Sequence, residues 1–326
     1  MKLHSIWEPY PELATELGEV TKLIEGSIQM RNKEVETVLK DVFNKGGKML
    51  RPAYTLLFST FGSEHDAKRA QAVAASIELL HTATLIHDDI IDDSPKRRGQ
   101  ETIQSRYGKN AAVYAGDYLF TVSFRLLAQY AKSNQQFEIN TKGMERILMG
   151  ELDQMRLYHH TDMTIRQYLT QISGKTAQLF ALSCYAGALE GGLTEKRARI
   201  AYHIGSHMGM AFQILDDILD YTISSEEFGK PVLEDVRQGI YTAPLIFAMR
   251  KNRRALLPLL EKKEQMTEEE AKKVRQLVIE SDGIIEAKRL AEKYTEKSLK
   301  KILSLPDTKE KEIIYQLTKQ LLSRKS

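Results

Sequence analysis

From Pro95 to Pro231 the chain carries no proline, and this constrains its fold more than any other feature. Proline removes a helical hydrogen bond and clashes with the preceding turn, so long helices exclude it from their interiors. Apolar residues recur at threes and fours, as at Leu13, Leu17, Val20, Leu23 and Ile24, whereas strand-like alternation is hard to find. The spacing predicts helices at about 13–29, 32–45, 51–61, 64–93, 110–132, 141–159, 164–189, 194–222, 241–252, 267–281, 283–303 and 308–324. Thr164 with Gln167, and Thr267 with Glu270, have capping-box spacing at two of these starts. No Gly/Ser-rich or Pro-rich stretch marks a linker, and no period repeats. The expectation is an all-α chain, a single domain over residues 1–326 built from about 12 helices.

Two segments, 77–86 and 208–215, are apolar nearly all round and belong at the centre of a bundle. Each runs into an acidic stretch: Asp88-Asp89-Ile90-Ile91-Asp92-Asp93 and Asp216-Asp217-Ile218-Leu219-Asp220. Residues four apart share a helix face, so Asp88 points with Asp92, Asp89 with Asp93, and Asp216 with Asp220. Charge on an otherwise apolar helix is not a solvated stripe, and like charges that are partly buried call for a counter-cation. Oxygen-only ligation without nearby cysteines favours Mg²⁺ over zinc, and Mg²⁺ usually takes one or two carboxylates plus substrate phosphates. The two stretches are expected to face each other across one cavity and to serve diphosphate chemistry.

Bases accompany the acids. Gly46-Gly47-Lys48-Met49-Leu50-Arg51-Pro52 places two of them after a glycine pair, and Arg97-Arg98-Gly99 follows the first acidic stretch. Arginine forks suit phosphate oxygens and lysine supplies a compact charge. Alone, either patch reads as an ordinary surface loop; together with two acid clusters, four bases are enough for two diphosphates. Gly174-Lys175-Thr176 resembles the end of a nucleotide phosphate loop, but the upstream glycines are missing, so only Lys175 is kept as a diphosphate contact. His81 is by default a hydrogen-bonded core histidine. Glu78 with His81 has di-iron bundle spacing and His87-Asp88 mimics a phosphohydrolase pair, yet no second Glu-x-x-His exists and neither reading needs a distant aspartate cluster. Cys184, the only cysteine, excludes an internal disulfide and a cysteine metal cluster and is expected to be inert in the core.

With 47 basic and 44 acidic residues the net charge is +3, and the basic clusters are short or mixed with glutamates, which argues against a nucleic-acid partner. The N-terminus lacks the apolar core of a signal peptide, and no uncharged run approaches the roughly 18 residues that span a bilayer. A cytoplasmic location with at most peripheral membrane contact for product release is expected.

From Gly46 to Pro244 the residues resemble the all-trans polyprenyl diphosphate synthases. The resemblance rests on Gly-Gly-Lys-x-x-Arg-Pro at 46–52, Asp-Asp-x-x-Asp at 88–92, Arg-Arg-Gly at 97–99, Gly-Asp-Tyr-Leu at 116–119, Gly-Lys-Thr at 174–176, Phe-Gln-Ile-Leu-Asp-Asp-Ile-Leu-Asp at 212–220 and Gly-Lys-Pro at 229–231. It implies an isoprenoid-synthase bundle around a deep central cavity, usually a homodimer, that adds isopentenyl diphosphate repeatedly to an allylic diphosphate such as farnesyl diphosphate. By the same resemblance Asp88, Asp92 and Asp216 are the principal Mg²⁺ ligands, with Asp89, Asp217 and Asp220 completing or supporting sites for about three ions. Arg97, Lys175 and Lys230 grip the allylic diphosphate; Lys48, Arg51, His81 and Arg98 hold isopentenyl diphosphate; Thr176 and Gln213 line the reacting end. The catalytic set is then Asp88, Asp89, Asp92, Lys175, Gln213 and Asp216.

Short-chain members of that family tend to carry bulky aromatics at the fourth and fifth positions upstream of the first motif, where this chain has Thr84 and Ala83. Two small residues imply an open shaft and a long product, C30 to C40, with heptaprenyl (C35) expected, for a menaquinone side chain. The floor of the shaft is expected from the 144–158 helix, at Met144, Ile147 or Leu148. The resemblance is nearest to the catalytic large subunit of heptaprenyl diphosphate synthase. Ile240 stands where many members have a lysine after Arg237-Gln238-Gly239, which implies the alternative of a catalytic half working with a small regulatory subunit. A shorter-chain geranylgeranyl synthase is the other alternative.

Overall fold

The helices begin and end largely where caps and periodicity put them. The computed structural model describes residues 3–45, 47–97, 99–130, 134–222 and 233–323; of the expected site, Gly46, Arg98 and Lys230 lie outside the described residues. Helices α1 (Pro11–Ser27), α2 (Lys33–Lys45), α3 (Leu50–Ser59), α4 (Ala67–Ile91), α5 (Ile103–Tyr107), α6 (Lys109–Tyr130) and α7 (Asn134–Met155) come first. They are followed by α8 (Ile165–Ile172), α9 (Gln178–Glu190), α10 (Glu195–Thr222), α11 (Glu234–Arg237), α12 (Ala243–Leu260), α13 (Glu268–Glu280), α14 (Gly283–Leu303) and α15 (Lys309–Leu322). Both expected capping boxes form: Thr164 and Thr267 accept from the backbone of Gln167 and Glu270, whose side chains reach back to the cap nitrogens. Asp66 caps α4 by accepting from Arg69 N at 2.9 Å.

The chain divides into two compact units, Met1–Met144 with Leu182–Tyr202, and Glu145–Ala181 with His203–Ser326. In the first, α4 is the central element and packs against α1, α3 and α6. Its middle is buried on every side, through Ala72, Val73, Ala75, Ser76, Ile77, Leu79, Leu80 and Ala83, as a helix apolar nearly all round requires. Cys184 has no exposed surface, and burial raises its thiol above the ordinary range, so it is the inert core residue expected. In the second unit Tyr168, Ile214, Ile218, Tyr221, Leu245, Leu256, Val274 and Ala287 share one core.

Among the described residues several features are absent from the sequence-based expectation. A two-residue antiparallel hairpin, Lys96–Arg97 with Gln100–Glu101, follows α4, and α5 and α11 are single turns too short to show a period. The helix expected at 164–189 is interrupted by a π turn at Ser173–Ala177. Helix α12 runs past 252 to Leu260 with Pro258 inside it, and its regular backbone breaks at Asn252 (φ −134°, ψ 45°). Among the described residues no helix is long and apolar enough to cross a membrane.

Candidate active site

The first acidic stretch closes α4. Asp92 N bonds Asp88 O at 2.8 Å and Ser94 N bonds Asp89 O at 2.9 Å, so the helix ends inside the stretch and its last turn carries the acids. They do not share one environment. Asp88 is half-buried and Asp92 exposed, one turn apart. Asp89 is buried and accepts from Arg97 Nε at 2.7 Å, the hairpin returning that guanidinium to the helix. Asp93, at φ 50°, pairs with Lys109 at 3.0 Å.

Two further sequence-marked bases sit in the same unit. Arg51 Nη1 donates to His81 Nε2 at 3.0 Å, so the pair expected to hold isopentenyl diphosphate is in contact. Lys48 is half-buried in the loop before α3, where Trp7 Nε1 donates to its carbonyl at 2.8 Å. Gly47, His81, Asp89 and Arg97 all line one cavity of about 220 Å³, several times the ~30 Å³ share of a water. Glu78, Thr82 and Arg106 line it as well. Of the two expected length-setting positions, Thr84 is half-buried one turn above Asp88, and its hydroxyl donates to His81 O at 2.7 Å. Ala83 has no exposed surface at all. Of the two, Thr84 is therefore the one with exposed surface.

In the second unit, Asp216 and Asp220 are half-buried on one face of α10, and Asp217 is buried. Both Asp217 oxygens are occupied: Tyr168 donates to Oδ2 at 2.5 Å and Gln213 Nε2 to Oδ1 at 2.8 Å. Thr176 in turn donates to Gln213 Oε1 at 2.6 Å. Burial pushes the Asp217 carboxyl up to about 7, against the opposing pull of those two hydrogen bonds. Burial first, then the neighbouring Asp217, raises the Tyr168 hydroxyl well above the phenol range, so it stays a donor. Lys175 pairs with Glu151 at 2.9 Å. It sits in the π turn, where an added Cβ on Gly150 would lie 2.9 Å from the Gly174 backbone. The two glycines let α7 and the π turn touch at backbone distance, and the turn directs Lys175 and Thr176 to Glu151 and Gln213.

Among the described residues no three acidic, cysteine or histidine side chains close a metal site by themselves. The donor set fits a divalent ion of the Mg²⁺ kind all the same: oxygen-only carboxylates in pairs one turn apart, half-buried except for the exposed Asp92, of the kind whose shell phosphate oxygens complete. A zinc site of nitrogen and sulfur donors is not offered by these residues. Sequence reasoning missed Tyr168, whose only signal is an inward place in an amphipathic helix. It also missed the inward turn of Asp89 and Asp217, which in sequence look like their neighbours.

A family model described as polyprenyl synthetase matches residues 32–278. The chain belongs to that family. Component 2 of the heptaprenyl diphosphate synthase of Geobacillus stearothermophilus is 34% identical over 307 residues, 94% of each chain. The geranylgeranyl pyrophosphate synthase crystal structure from Lactobacillus brevis is 42% identical with a TM-score of 0.94, over 98% of this chain and 99% of that one. The polyprenyl synthase of Caulobacter crescentus, solved with calcium and isoprenyl diphosphate, is 29% identical with a TM-score of 0.90 over the full length of both. Membership makes this protein a trans-prenyltransferase, a prenyl diphosphate synthase of the all-α isoprenoid-synthase fold, in a family that depends on divalent metal.

Proposed function

We propose that the chain condenses isopentenyl diphosphate repeatedly onto an allylic diphosphate such as farnesyl diphosphate, with Mg²⁺, to make heptaprenyl diphosphate for a quinone side chain of the menaquinone type. The observation that carries this reading is the shared construction of the two acidic stretches: Asp88 with Asp92, and Asp216 with Asp220, occupy less buried positions, while Asp89 and Asp217 are buried and bonded. Mg²⁺, about three ions in the full complex, supplies positive charge where the pyrophosphate leaves. In this reading Asp88, Asp92, Asp216 and Asp220 are the metal-facing acids, and Asp89 and Asp217 support them. Lys175 and Arg97, with Lys230, bind the allylic diphosphate; Lys48, Arg51 and His81, with Arg98, bind isopentenyl diphosphate. Thr176 and Gln213 hold the reacting end, the apolar helices keep water from the carbocation, and the departing pyrophosphate takes the final proton.

A long product is supported by the small, half-buried Thr84 and by the Geobacillus relative's name. The relative is called component 2, which supports a separate small subunit as the second reading. Self-association into a homodimer is supported by the exposed apolar side chains Leu148, Met149, Leu152 and Met155 along α7. A cytoplasmic setting completes the reading. Incubating the purified chain with Mg²⁺, isopentenyl diphosphate and farnesyl diphosphate, then sizing the products by chromatography, should give a ladder ending at C35. A C20 end point would make it a geranylgeranyl synthase, and no elongation without an added second protein would overturn self-sufficiency. Thr84→Phe should shorten the product to C15 or C20; an unchanged length would sink the open-shaft reading.

A further inference from the structure

Gly116-Asp117-Tyr118-Leu119 has no part in the chemistry above, and the structure gives its first two residues a specific partner. His87, the residue before Asp88, turns away from the acids toward α6. Its Nε2 lies 3.2 Å from Asp117 Oδ1, and its ring stacks on Phe120, with centroids 5.4 Å apart and planes inclined by 21°. A Cβ on Gly116 would lie 2.5 Å from the His87 ring, so the ring occupies the space a side chain there would need. Successive helix positions differ by about 100°, so His87, Asp88 and Asp89 splay in three directions. His87 is fixed to α6 and Asp89 to Arg97 at 2.7 Å. With a neighbour anchored on each side, the roll of the final turn of α4 is set, and with it the direction of Asp88 and of Asp92 one turn later.

We propose that His87 and Asp117 are positioning residues: through the Gly116 gap they fix the roll of the last turn of α4 and so aim Asp88 and Asp92 at the divalent metal. The proposal rests on the metal-facing reading of those two acids. Partners that orient metal-binding side chains are worth roughly 10- to 100-fold in metal affinity. The test is Mn²⁺ binding to the full chain in the presence of inorganic pyrophosphate, followed by electron paramagnetic resonance, with elongation kinetics alongside. Asp117 is 59% exposed, so its variants fold. Asp117→Ala should weaken Mn²⁺ binding roughly tenfold and lower kcat with the KM for isopentenyl diphosphate unchanged. Asp117→Asn keeps an acceptor for His87 and should restore both. An alanine variant that binds Mn²⁺ like the parent overturns the proposal, as does an asparagine variant as defective as alanine, which would mean that the carboxylate charge itself is used. Asp88→Asn separates the two readings: if it too leaves Mn²⁺ binding intact, the metal-facing reading fails; if it abolishes binding while Asp117→Ala does not, only the positioning role fails.

Discussion

The two acidic stretches solve one problem with different electrostatics. In each, the second aspartate is buried. Asp89 is compensated by a full positive charge, Arg97, whereas among the described residues the donors to Asp217 are the neutral Tyr168 and Gln213. Around Asp217 the neutral hydrogen bonds oppose desolvation only in part, and burial holds its carboxyl up at about 7. The first stretch thus holds its buried acid in an ion pair, the second in a network of neutral hydrogen bonds.

That contrast can be broken by substitution. The largest effect is expected where the acids face metal: Asp88→Asn or Asp216→Asn should each lower kcat on the order of a thousandfold, measured by incorporation of labelled isopentenyl diphosphate. A loss confined to one stretch would show that the two are not equivalent. Next, Arg97→Ala removes the guanidinium paired with the buried Asp89 and should cost about 2 kcal/mol in urea unfolding, less than for a wholly buried pair because the guanidinium is 36% exposed. The smallest effect is on pH dependence. Asp217 titrates near 7 in the metal-free fold against an ordinary 3.8, so the folded state holds its proton more tightly than the unfolded chain. Its stabilising contribution is present in acid and is lost as pH rises from about 4 to about 7. In EDTA, Asp217→Asn should remove that part of the slope, raising Tm at pH 8 relative to pH 5 by comparison with the parent. An identical slope in both proteins would show that Asp217 is already ionised.

Much of this was legible in the chain. Thr164 with Gln167 and Thr267 with Glu270 announced helix starts because capping is local chemistry, and the acid pairs announced themselves by their place on apolar helices. What could not be read was whatever depends on a partner distant in sequence. Asp88 and Asp89 are alike as letters; only the hairpin that returns Arg97 separates them. Tyr168 meets Asp217 across 49 positions, and the π turn that carries Lys175 lies inside a span that reads as one helix. His87 gives no sign in sequence of Asp117, 30 positions on, beside which it lies.

The claim that ties these observations together is a division of labour within each stretch, the less buried acids for metal and the buried one for support. It is tested most directly by counting the Mn²⁺ ions bound, in the presence of pyrophosphate, by the parent, Asp216→Asn and Asp217→Asn. The account predicts that Asp216→Asn binds fewer ions than the parent and that Asp217→Asn keeps the full number. Equal losses in both variants, or a loss only in Asp217→Asn, would contradict it.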